Sequence, residues 1–255
     1  MSSNLGNQER YNRAIASVIT DMQAAFGPDL IGLLLGGSVA YGSPLRRSDL
    51  DIYVTIRPAW RQRRTLMVEG VEVELFINPV HQIRKEFKSS SSTFTMFAQG
   101  RVLYDPQGLM AMLVQEARQV QAQPRPAVSS EDLPRLRYNL TDLLNDAQDL
   151  AEVDEVAATY LIFLSLEAAL DTYYRLQRRW LPKPKYLLRD LREHSPEIEQ
   201  VVSRILANHT SIAGRTASLT VLVERVLEPV GELIGAWETA PEAVPEVDGG
   251  SAVSP

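Results

Sequence analysis

Apolar positions along the chain follow a helical period first, then a strand period, then a helical one again. In residues 8–26 they fall at Ile15, Val18, Ile19, Met22 and Phe26, a one-sided stripe that predicts a helix. Gly27-Pro28 stops it. Leu30 to Leu35 is an apolar run broken only by Gly32 and ended by Gly36-Gly37, which predicts a buried strand. Leu50–Ile56 predicts a second strand, ended by Pro58, and Val71–Ile77 a third, with nearly strict alternation and Asn78-Pro79 after it. A short fourth strand is predicted over 101–104, with helices over 79–88 and 107–121. The serine run KSSSST (88–93) reads as a helix break or loop.

The texture then changes. QAQPRPAVSS (121–130) is rich in proline, serine and glutamine and has no period, so it reads as a linker. Beyond it no strand pattern appears, and helices are predicted over 131–150, 154–179, 184–193, 196–208 and 215–237. Ser130 before Glu131-Asp132 makes an N-cap with acids in the first turn. The fold class expected is α+β. A mixed sheet with helices on one face occupies 1–121, a linker 122–130, an all-α bundle 131–238 and a tail of disordered composition 239–255.

Composition narrows the chemistry. The 255 residues include no cysteine, which removes disulfides, thiolate metal sites and a cysteine nucleophile and fits a reducing cytoplasm. The polar opening MSSNLGNQER reads as no signal peptide. No stretch approaches the ~18 consecutive apolar residues of a membrane span. The net charge of −6 argues against a surface that grips nucleic acid as a whole and suits a cationic small molecule. His81, His194 and His209 are far apart, without metal-ligand spacing, and read as structural or surface residues.

The informative segment is LLLGGSVAYGSPLRRSDLDIYV. A buried strand runs into Gly36-Gly37-Ser38, where glycine lets the backbone turn and approach a ligand closely, and a helix start favours phosphate. Ten residues separate Ser38 from Asp49, and Asp51 follows Leu50. Side chains two apart on a strand point the same way, so both carboxylates converge while Leu50 and Ile52 face away. Two such charges call for a cation between them, and an all-oxygen set suits Mg²⁺. On the third strand Glu72, Glu74 and Phe76 share a face; a glutamate from it would complete a three-carboxylate site able to hold two metals.

Gly-Gly-Ser, a spacer, Asp-hydrophobic-Asp on a strand and a later strand acid together resemble the polymerase-beta-like nucleotidyltransferase superfamily. The resemblance covers residues 8–121, and the helical half looks like the substrate-binding domain of antibiotic (aminoglycoside) nucleotidyltransferases. It implies Mg²⁺-dependent transfer of a nucleoside monophosphate from a nucleoside triphosphate, ATP first among donors, to an acceptor hydroxyl. Gly37 and Ser38 would hold the triphosphate, and Asp49, Asp51 and Glu74 the metals. Glu74 is preferred to Glu72 because a helix from Pro79 follows, as in the antibiotic-modifying members. Where many members carry arginine after Gly-Ser this chain has Tyr41, with Arg46 or Arg47 as substitutes. In several relatives the site lies at a dimer interface, so a homodimer is an expected assembly.

Several residues stay open. Asp142, Asp146 and Asp149 share one helix face, an acidic wall for a cationic acceptor or a solvated face. In the resembling enzymes an acid here serves as general base, a role for Asp146; Glu167, inside the apolar run YLIFLSLEAAL, is the alternative or half of a buried ion pair. Lys185 would meet the triphosphate from the helical half, or belong, with Lys183, Arg175, Arg178 and Arg179, to a basic loop. RPAWRQRR (57–64) reads as an exposed loop or turn, or as an RNA contact built on Trp60. The acceptor is then a small cationic antibiotic; a protein or tRNA, and a catalytically silent nucleotide-binding module, are the alternatives.

Overall fold

Leu30–Gly36, strand β1, is buried at all seven positions, a state a strand reaches only when both faces of its sheet are covered. The computed structural model, which describes residues 2–45, 47–207, 209–239 and 241, shows what covers them. On one face, α1 (Ser2–Phe26) packs Tyr11, Ala14, Ile15 and Val18 against Leu33, Leu35, Ile52 and Leu75. On the other, the Tyr53 ring meets Phe97 edge-on at 4.8 Å, and Phe97 meets Phe87 at 5.2 Å. Helices therefore lie on both faces, where one face was expected. The uninterrupted apolar run of β1 is the physical reason, since it leaves no polar side to turn to water.

After β1 a short turn of helix, α2 (Gly37–Ala40), leads into β2 (Leu50–Ile56). There follow β3 (Gln62–Val68), β4 (Val71–Pro79), α3 (Val80–Ser89), α4 (Ser91–Gln99), β5 (Arg101–Tyr104) and α5 (Leu109–Ala122). The five strands are ordered β3-β4-β2-β1-β5. β2 and β4 are parallel and the other neighbours antiparallel, so the sheet is mixed, and the class is α+β as the sequence implies.

Two elements were not predicted. β3 is an edge strand whose residues Gln62, Arg63, Arg64 and Thr65 are exposed, so its sequence lacks the apolar alternation of a half-buried strand. It joins β4 through Glu69 and Gly70, both left-handed at φ 51° and 71°, the conformation of a tight two-residue hairpin turn. α4 begins inside the serine run: Ser90 breaks the chain and then caps the new helix, its side chain accepting from the Thr93 N–H.

The chain divides into two compact units, Met1–Pro124 and Arg125–Pro255. The second contains α6 (Asp132–Ala151), α7 (Glu155–Leu176), α8 (Pro184–His194), α9 (Pro196–Leu206) and α10 (Ile212–Leu227). Leu140, Leu144, Ile162, Leu166, Val202 and Leu219 lie in its core. α10 stops short of the predicted 237. A single tight turn over Glu228–Val230 ends it, because Pro229 has no N–H to continue the helix. By length and composition α7 could cross a membrane, contrary to the sequence expectation; here Ile162, Leu166, Ala169 and Leu170 of this helix are core residues. Of the tail 239–255, all but Thr239 and Pro241 lie outside the described residues.

Tyr53 links the sheet to a measurable property. Its ring stacks on Phe76 at 4.8 Å. Burial pushes its hydroxyl up to about 12 from an ordinary value of 10.0; a hydrogen bond with Thr93 opposes the rise, and the charges of Glu86 and Asp51 add to it. A raised value means the folded state holds the proton more tightly, so stability is intact below pH 10 and is lost as pH climbs towards 12. Urea unfolding across that window should show Tyr53→Phe losing about 2 kcal/mol less than wild type. Equal slopes in the two proteins would contradict this.

Candidate functional site

β1 ends where the chain needs an unusual residue. Gly37 has φ 69°, and a Cβ placed on it would lie 1.8 Å from Asp51 Oδ2. Only glycine meets both the left-handed backbone and the close approach. Next to it Ser38 is buried and its Oγ bonds Ser48 Oγ at 2.9 Å. Ser48 Oγ also accepts the Leu45 N–H at 2.8 Å, and the Ser48 carbonyl accepts the Tyr11 hydroxyl at 3.1 Å. These bonds fix the end of the α2–β2 connection, and Asp49 follows directly.

Asp51 is the second residue of β2, and across the parallel pair it stands in register with Glu74 of β4. Leu50 and Ile52 are fully buried on the opposite face, so strand alternation alone turns Asp51 to this side. The outcome is a cluster in which one carboxylate oxygen each from Asp49, Asp51 and Glu74 lies within 4.8 Å of the other two. All three are half-buried. Glu72 is exposed and stands in register with Met67 on the β3 side.

Glu74 already has a cation. Arg63 of β3 donates from Nε to Glu74 Oε1 at 2.7 Å, and its Nη2 donates to the same oxygen. The guanidinium lies 5.0 Å from the centre of the Phe76 ring. Arg63 also lines a cavity of about 420 Å³ with Arg61, Gln62, Phe76, Asn78 and Glu86. Sequence reasoning missed this residue, having assigned 57–64 to a loop or an RNA contact. Two other arginines there are also engaged: Arg57 bonds the Pro28 carbonyl and Gln107, and Arg61 lies 3.7 Å from Glu86. The Trp60 ring lies 6.0 Å from Phe26. Arg63 becomes findable only once the β3–β4 register is known.

The remaining candidates belong elsewhere. In the second unit Asp142, Asp146 and Asp149 share an exposed face of α6. Glu167 is exposed on α7, which corrects the expectation of a buried carboxylate: the apolar run around it is wider than the stripe α7 buries. Lys185 is exposed near the start of α8, its ammonium 5.2 Å from the Tyr186 ring centre. Arg46 lies outside the described residues.

Comparison with protein families finds no match, and comparison with curated proteins finds none either. Among solved structures the chain is similar to a nucleotidyltransferase-like protein from Exiguobacterium sibiricum. The likeness has 11% identity and a TM-score of 0.48, and it covers 85% of this chain and 74% of that one. At that level the chemistry has to be read from this chain's own side chains.

Gly37 gives the direct test of the geometry. Gly42 is equally left-handed at φ 69° but has open space where a Cβ would go. Gly42→Ala should cost about 1 kcal/mol from backbone strain alone, and Gly37→Ala at least about 2 kcal/mol more from the collision with Asp51. Equal losses in urea unfolding would show that the close approach is absent.

Proposed function

We propose that the first unit is the catalytic unit of a nucleotidyltransferase. It would move a nucleoside monophosphate from a nucleoside triphosphate to an acceptor hydroxyl, releasing pyrophosphate. One observation carries the proposal: Asp49, Asp51 and Glu74 converge within 4.8 Å of one another beside Gly37 at the start of α2. The donors fit a divalent cation, being three hard carboxylate oxygens without imidazole or thiolate. Mg²⁺ held there would neutralise triphosphate charge and favour displacement at the α-phosphorus.

The other roles fall to the chain. Gly37 and Ser38 would bind the triphosphate, with Arg46 meeting its charge. A general base would take the proton of the acceptor hydroxyl, which requires hydrogen-bond distance in the loaded enzyme. The acceptor oxygen then bonds the α-phosphorus as the bond from that phosphorus to the pyrophosphate oxygen breaks. Catalysis of this kind is mostly positioning and charge neutralisation. ATP is the proposed donor and an aminoglycoside-like cation the proposed acceptor. The acidic α6 face of Asp142, Asp146 and Asp149 and the net charge of −6 support the cationic acceptor. The partners already held by Arg57, Arg61 and Arg63 weigh against an RNA surface there.

Calorimetric titration of the four nucleoside triphosphates, with and without Mg²⁺, tests the proposal. One should bind in a Mg²⁺-dependent way and lose about tenfold or more in Asp51→Asn. The unfolding midpoint of that variant should be unchanged or higher, because the substitution relieves repulsion within the cluster. Binding that ignores Mg²⁺, or survives the substitution, would overturn the assignment.

A further inference from the structure

Arg63 is joined to the proposed metal site, and its chemistry bears on how that site loads. It comes from an edge strand and is 66% exposed, whereas the Glu74 side chain it grips is 18% exposed. Two of its N–H groups converge on the single oxygen Oε1. The Phe76 ring supports the guanidinium from below, so the contact is held by charge, hydrogen bonds and a cation–π interaction together. Glu74 Oε1 is thus engaged, and a positive charge stands at the edge of the cluster.

We propose that Arg63 is a positioning residue that sets the metal affinity of the Asp49–Asp51–Glu74 cluster, so that the site takes up a metal–nucleotide complex in preference to the free divalent cation. The inference rests on the proposed metal site. With no metal bound, Arg63 is a cation that offsets part of the repulsion of the three carboxylates. A free divalent cation has to approach against that charge and compete for Glu74. A triphosphate arriving with its metal brings anionic oxygens, which are an alternative partner for the guanidinium. The penalty on the metal is thereby relieved only when the nucleotide is present. The cavity that Arg63 lines beside Phe76 and Asn78 leaves its outer side open.

The experiment measures Mn²⁺ binding to the full chain by electron paramagnetic resonance, without nucleotide, and then binding of ATP with Mn²⁺ present. Arg63→Gln should bind Mn²⁺ alone about tenfold more tightly than wild type and bind ATP with Mn²⁺ about tenfold more weakly. Arg63→Lys keeps the charge and should restore the wild-type Mn²⁺ affinity. A purely structural ion pair predicts the reverse for the first variant, since a loosened Glu74 would weaken Mn²⁺ binding. Unchanged or weaker Mn²⁺ binding in Arg63→Gln, with Mn²⁺ binding by wild type still lost in Asp51→Asn, would overturn the role of Arg63 alone. Absence of Mn²⁺ binding in wild type and Arg63→Gln alike would overturn the metal site and this inference with it.

Discussion

Three carboxylates within 4.8 Å of one another repel, and the first unit is built so that they stay together. Strand alternation turns Asp51 and Glu74 to the same face, and the parallel register sets them side by side. The residues between them, Leu50, Ile52, Val73 and Leu75, are fully buried on the opposite side. Rotating either acid away would therefore pull a large apolar side chain out of the core, which costs more than an exposed charge pair returns. Gly37 closes the remaining side, pressed so near Asp51 that no side chain fits. Arg63 offsets part of the charge from the edge of the sheet.

The topology explains how such a pair arises. Adjacent parallel strands need a connection that returns the chain to the same end. Here β3 does this, running back outside β4. The strand that makes the parallel pair possible is thus also the one that carries Arg63 to Glu74. Its exposure, which hides it from pattern reading, leaves its arginine free to reach across the sheet face.

What the sequence reveals and conceals follows from range. Asp51 was legible because it stands in a strand, where the face of a residue is set by its neighbours; alternation left Glu72 and Glu74 on one face, the family resemblance singled out Glu74, and Asp49 lies just before β2. The Gly36-Gly37-Ser38 turn was legible because it closes an apolar run. β3 was not, since QRRTLMV has polar residues on both sides and an edge strand need not hide either. Arg63 was not, since its partner is fixed by register across two strands. α4 was masked by the serines that cap it. Glu167 was misread because an apolar run on a helix does not say which third of the helix is buried. The end of α10 was written in Pro229 and was overrun by the apolar residues beyond it.

A crystal structure with Mn²⁺ and a non-hydrolysable nucleoside triphosphate, read by anomalous scattering, tests the metal site directly. An anomalous peak is expected within bonding distance of Asp49, Asp51 and Glu74, with the phosphates on its far side and the Arg63 guanidinium turned towards them. A peak ligated by other carboxylates, or a triphosphate bound with no metal at these three, would contradict it.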